Sequence, residues 1–243
     1  QSQIWVILIP TIIYAVLFFG QNFPKPRIVE NSTLDNFKAM LNLLYLFMAA
    51  CMALTAISEF GPQQWVGPIL AKAGASPMLI LALVTGLMAV GRYFAGPLIK
   101  QLNTVGVLLG SAAFGVIGIY MMSTMDGSML YVAAVFYALG ICYFWPNMIG
   151  FIAENMPQTG ALGLSIMGGI GMFSSSWFQP IIGGWIQDNK IVAVSQGLAG
   201  DAADLAAGQA TLSNMLIFPA ILIVAFLGLY FYMKKQKDLN PAV

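Results

Sequence analysis

The chain contains no histidine, two cysteines and few charges. Without histidine, a His-based acid/base dyad or a His-built zinc site is excluded. Cys51 and Cys142 stand inside apolar runs and form no CxxC-type spacing, so they read as small lipid- or core-facing side chains. Charged residues make up only 8% of the 243 residues, where a soluble domain carries about 25%. Such a chain cannot cover a water-facing surface. A net charge of +1 suggests no nucleic-acid partner. Also missing is a basic leader. The chain opens QSQIWVILIP and enters an apolar run almost at once, which is not a signal peptide. It reads instead as a cut end, with the chain as part of a larger protein.

What is present is oil. Hydrophobic residues reach 59% and the mean hydropathy is +0.83. A helix needs about 20 apolar residues to cross a hydrocarbon core. Seven stretches qualify: 4–20, 39–60, 77–99, 104–123, 129–153, 161–186 and 211–233. They are too long and too uniformly apolar for the alternating strands of a membrane barrel. Polar punctuation separates them. Residues 187–210 read as a longer loop with a short surface helix at 201–208. The expected fold is therefore an all-α membrane protein with seven transmembrane helices.

Basic residues set the expected orientation. Lys25, Arg27, Lys38, Arg92, Lys100, Lys234, Lys235 and Lys237 fall on one side, Lys72 and Lys190 on the other. The first side is then cytoplasmic, with the Gln1 end outside and the C-terminus inside.

Seven spans in this orientation also describe a receptor or a retinal protein. A retinal protein needs a lysine in its last span, and residues 211–233 have none. A receptor usually carries a loop disulfide and an acid before the arginine ending its third span. Here Arg92 follows Gly91, and both cysteines are intramembrane. A seven-helix receptor or signalling protein is kept as the alternative. The favoured grouping is one helix plus six, the six forming two inverted three-helix repeats. The first members, 39–60 and 129–153, each meet a proline among aromatic and polar neighbours: SEFGPQQW and CYFWPNM. The second members, 77–99 and 161–186, are glycine-rich with a late proline. Gly/Pro interruptions at corresponding positions point to a binding site.

Three stretches carry a family likeness. GLMAVGRYFAGPLIKQL (86–102) resembles the loop between the eighth and ninth helices of the major facilitator superfamily. TAISEFGPQQWVGPIL (55–70) resembles the seventh helix of its sugar-type permeases. Residues 138–186 resemble their tenth and eleventh helices, and the nearest branch is the fucose permease-like one. The resemblance implies that 1–20 is the last helix of an N-terminal half and 21–38 a cytoplasmic linker. It makes 39–243 a C-terminal six-helix half, whose partners are the missing N-terminal half and the lipid bilayer. It further implies a bacterial inner-membrane location and a secondary transporter for a small polar solute such as a sugar. Coupling to a proton gradient is implied and no cofactor is. The loop at 91–100 departs from the superfamily motif by lacking its acidic residue.

The candidate solute-facing residues are Glu59, Gln63, Trp65, Trp145, Asn147 and Gln179, with Asn42 and Tyr45 added as i, i+3 neighbours. Amides donate and accept hydrogen bonds, which suits a hydroxyl-rich ligand, and an indole can stack on a sugar face. Glu59 lies about 30 Å along a helix starting at Ala39, near the outer interface. There it is either a helix-end carboxylate in water or a cavity-facing acid. Trp65 is equally an interfacial anchor, and the Trp145-Pro146-Asn147 element equally a packing kink. Arg92 and Glu154, near the inner ends of their spans, are expected to pair as a gate. The glycines between 86 and 118 and between 163 and 171 read as close-packing positions. No nucleophile–base set, metal cluster, phosphate loop or ion filter is visible, so no enzyme is expected.

Overall fold

The computed structural model of the chain describes residues 2–22, 32–70 and 73–239. Among them every regular element is helical. Contacts divide the chain into two units, Gln1–Glu30 and Asn31–Val243. The first holds α1 (Ser2–Phe18), in which Tyr14 and Phe18 stack one turn apart at 5.8 Å. The second holds α2 (Thr33–Met40), α3 (Leu43–Leu70), α4 (Pro77–Tyr93), α5 (Ala95–Thr124), α6 (Met129–Ile141), α7 (Phe144–Asn155), a 3₁₀ turn at Pro157–Thr159, α8 (Gly160–Ser195), α9 (Gly200–Met215) and α10 (Ile217–Leu239).

Among the described residues, five helical stretches are long and apolar enough to cross a membrane: Leu43–Gly67, Ala95–Thr124, Met129–Asn155, Pro157–Ser195 and Gly200–Gln236. Leu8–Phe18 and Pro77–Tyr93 are shorter apolar helices lying on the other two expected spans. The protein is thus all-helical with several candidate membrane spans. Lys25, Arg27 and Lys72, used for the expected orientation, and residues 23–31 of the 21–38 linker lie outside the described residues.

Several boundaries differ from expectation, each for a physical reason. α3 does not stop before Pro62 but continues to Leu70. A proline removes one N–H and leaves the carbonyl four residues back without its partner. The carbonyl freed by Pro62 belongs to Ser58, and Tyr137 of α6 shares its one hydroxyl proton between that carbonyl at 3.2 Å and the neighbouring Glu59 carbonyl at 2.6 Å. The helix can then run on. The expected span 129–153 is two helices, α6 and α7, broken at Cys142–Tyr143. α5 turns sharply at Asn103 (φ 56, ψ 169), whose Oδ1 accepts from Gly106 N at 2.9 Å and caps the helix that follows. The expected loop 187–210 is mostly helix, since α8 runs to Ser195 and α9 starts at Gly200. These two ends are joined by Lys190–Asp204 (2.6 Å) and by Asn189 Nδ2 donating to Thr211 Oγ1 (3.0 Å). Asp201 in the first turn of α9 suits the positive end of the helix dipole. Inside the expected linker, Ser32 caps α2 by accepting from Asp35 N.

α5 and α6 cross backbone against backbone. A methyl group added at Gly118 would collide with the Tyr137 backbone, and one at Gly140 with the Gly115 backbone. Gly115 and Gly118 are therefore packing positions, as expected, and Gly140 is one that the sequence did not single out. Gly86, Gly96, Gly110, Gly168 and Gly169 have nothing within 4 Å of such a methyl. The close crossing fixes α6 so that the Tyr137 hydroxyl reaches α3.

Candidate functional site

The site is built around one acid in an apolar helix. Glu59 lies about 24 Å from the Leu43 end of α3 and about 16 Å from its Leu70 end. The helix continues for three turns beyond it. Its side chain is 5% exposed. α4 runs antiparallel beside α3, with Gly67 against Pro77 and Gln63 Nε2 against Met88 Sδ at 3.8 Å. This register carries Arg92 to the level of Glu59, and Arg92 Nη2 stands 3.6 Å from Glu59 Oε1.

Arg92 stands in the last turn of α4, just before the chain turns at Phe94 into α5. Its ion partner is Glu59 rather than Glu154. Glu154 is exposed at the end of α7, where Thr104 Oγ1 donates to its Oε2 at 3.5 Å.

The same arginine repairs the α6–α7 break. Pro146 has no N–H for the Cys142 carbonyl four residues before it. Arg92 Nε donates to that carbonyl at 2.9 Å. Two further bonds clip α4 to the break: Tyr143 hydroxyl to Gly91 carbonyl (2.9 Å) and Cys142 Sγ to Met88 carbonyl (3.4 Å). Gly91 is required here, since a methyl would come 2.8 Å from Cys142 Sγ. On the other side of Glu59, the Tyr137 hydroxyl donates to the Glu59 carbonyl at 2.6 Å. Two proline-freed carbonyls, at Ser58 and Cys142, are thus each met by a side chain from another helix. Glu59 Oε2, although buried, has no hydrogen-bond partner.

A second group lies further along α3. Trp65 Nε1 donates to Gln179 Oε1 at 2.8 Å, and Gln179 Nε2 donates to the Phe60 carbonyl at 3.2 Å. The Phe60 ring meets Trp145 edge to face at 5.7 Å. Trp145 also presses on Gly171 of α8, where a methyl would stand 2.8 Å from its ring. Trp65, Gln179 and Trp145 therefore join α3, α7 and α8, with the polar atoms of Trp65 and Gln179 facing one another or the backbone. Asn147 is buried on α7 with Nδ2 unpartnered. Gln63, one turn beyond Glu59, lines a largely apolar cavity of about 440 Å³ together with Val66, Ile80, Val84, Met122 and Tyr137.

Two expected site residues lie elsewhere. Asn42 precedes α3, is exposed, and caps the helix by accepting from Leu44 N at 2.9 Å. Because it is outside the helix, it does not share a helical face with Tyr45. Tyr45 is buried and donates to the Gly163 carbonyl at 2.7 Å, tying α3 to α8.

Tyr137, Cys142 and Tyr143 were missed by the sequence reading. A signal existed for Cys142 alone: counting four residues back from Pro62 and Pro146 gives the Ser58 and Cys142 carbonyls as the ones that need a foreign donor, but not which side chains supply it. No protein-family model, curated protein or solved structure matches this chain.

Proposed function

We propose that this chain is part of a secondary active transporter of the major facilitator type. It moves a small polar solute, such as a sugar, by alternating access coupled to a proton gradient. In this reading it supplies one helix plus a six-helix half of two inverted repeats, with the Gln1 end outside and the C-terminus in the cytoplasm of a bacterial inner membrane. One observation carries the reading: midway along the apolar helix α3 a carboxylate meets a guanidinium from α4, beside the Ser58 and Cys142 carbonyls that Pro62 and Pro146 leave free. Buried ion pairs are poor stabilisers, because desolvation offsets their attraction. An ionisable residue at membrane depth is expensive and marks a solute or proton path. Irregular backbone at that depth fits protein or a water-filled path rather than lipid.

The chemistry follows from the contacts. Glu59 Oε2 is an acceptor awaiting a donor, which a proton or a solute hydroxyl provides. Either one weakens the hold on Arg92. Arg92 then releases the Cys142 carbonyl, and α7 swings about the Cys142–Tyr143 break. Trp145 and Gln179 move with the helices they join, opening one side as the other closes.

The test is uptake of labelled sugars and other polar solutes by the full-length protein in vesicles, with and without a proton gradient, comparing wild type with Glu59→Gln. Gradient-driven uptake that is lost in the variant supports the reading. Uptake insensitive to the substitution removes Glu59 from the path, and no uptake of any solute returns the receptor alternative.

A further inference from the structure

α2 is a helix with three unlike faces. Asn36 and Met40 turn toward the protein: Met40 is buried, and the Asn36 amide covers Gly160, which sits at φ 60. Asp35 and Lys38 are exposed and pair with each other at 3.8 Å. The remaining stripe is Leu34, Phe37 and Leu41, at i, i+3 and i+7, exposed to 63%, 48% and 74%. Only Leu41 and Asn42 separate α2 from Leu43, the first residue of an apolar stretch long enough to cross a membrane. Packing of α2 on the Pro157–Thr159 turn and on α8 holds it at that end of the bundle.

We propose that α2 is an interfacial helix that docks on the bilayer surface, with Leu34, Phe37 and Leu41 among the acyl chains just below the headgroups. The inference rests on reading the long helices as membrane spans. Its argument is continuity: the connection to α3 is too short to carry α2 away from the membrane edge. The stripe then lies where an amphipathic helix buries its apolar side. Charge adds nothing specific, because Asp35 and Lys38 cancel. Docking is therefore driven by apolar burial and does not need anionic lipid.

The experiment uses the full-length protein with single cysteines at Leu34, Asp35, Phe37 and Leu41. Cys51 and Cys142 are buried and leave the label to the new sites. All four positions are exposed, so the label disturbs no packing. A spin label at each is read by collision with oxygen, which concentrates in lipid, and with a water-soluble nickel chelate. Vesicles of phosphatidylcholine with and without phosphatidylglycerol provide the surfaces. The expected result is a severalfold higher oxygen-to-nickel ratio at 34, 37 and 41 than at 35, unchanged by phosphatidylglycerol. Equal nickel access at all four positions overturns the proposal. So does shielding of the stripe from both reagents, which would mean that protein covers it. A label at Val224 of α10, 72% exposed, is the control. Lipid access at Val224 with water access at 34, 37 and 41 sinks the docking while leaving the spans standing.

Discussion

The α6–α7 segment meets its neighbours by two opposite means. Toward α5 the contact is glycine on backbone, dry and close, with Gly118 against Tyr137 and Gly140 against Gly115. Toward α3 and α4 it is polar and opened by proline, with Tyr137, Cys142 and Tyr143 bonded to Glu59, Arg92 and Gly91. A backbone contact has no soft side chain to yield, so the first face acts as a fixed wall. Hydrogen bonds to proline-freed carbonyls can be exchanged for other partners, so the second face is the one suited to move. Placing both on one element gives a hinge with a fixed back.

Substitutions separate the two faces, beginning with the fixed one. Gly118→Leu forces a side chain into the Tyr137 backbone and is expected to destabilise by about 3 kcal/mol or more, read as loss of the folded peak on heating in detergent. Glu59→Leu leaves Arg92 without its ion partner. A fully buried widow charge costs about 3–5 kcal/mol. Because the Arg92 side chain is 43% exposed, the expected loss is smaller, about 1–2 kcal/mol. In the same melt, replacing both residues by Leu should recover only part of that loss, because it also strips the Arg92 donor from the Cys142 carbonyl. Tyr137→Phe strips the donor from the Ser58 and Glu59 carbonyls and should cost about 1–2 kcal/mol with the α5 contact untouched. Pro146→Ala sharpens the contrast further. It restores an N–H for the Cys142 carbonyl and competes with Arg92. Stability should hold or rise by up to about 1 kcal/mol, while solute uptake falls. An uptake that survives Pro146→Ala would take the hinge out of the mechanism.

Much of the fold was legible because long apolar runs in a chain so poor in charge leave few alternatives to membrane-length helices. The errors lie where local signals conflict. Gly61-Pro62 reads as a stop, yet α3 passes through it because Tyr137, distant in sequence, serves the freed carbonyl. The Ala- and Asp-containing segment after Gln187 reads as a loop, yet Lys190–Asp204 helps bind it as a helical pair. At the site, Glu59 was visible as an acid inside oil, but its partner was not. Arg92 and Glu154 each looked like charges at an inner end, and only the antiparallel register of α3 and α4 shows which acid the arginine meets. Asn42 looked like part of a helix face and is its cap, because the chain breaks at Leu41–Asn42 and α3 starts at Leu43 rather than Ala39.

The central claim is that Arg92 is coupled to Glu59. A pair of double-mutant cycles in thermal denaturation tests it directly, one with Glu59→Gln and Arg92→Gln, the other with Glu154→Gln and Arg92→Gln. The account predicts a coupling of about 1 kcal/mol or more in the first cycle and additivity within about 0.3–0.5 kcal/mol in the second. Additivity in the first cycle with coupling in the second would contradict it, and would restore Glu154 as the partner of Arg92.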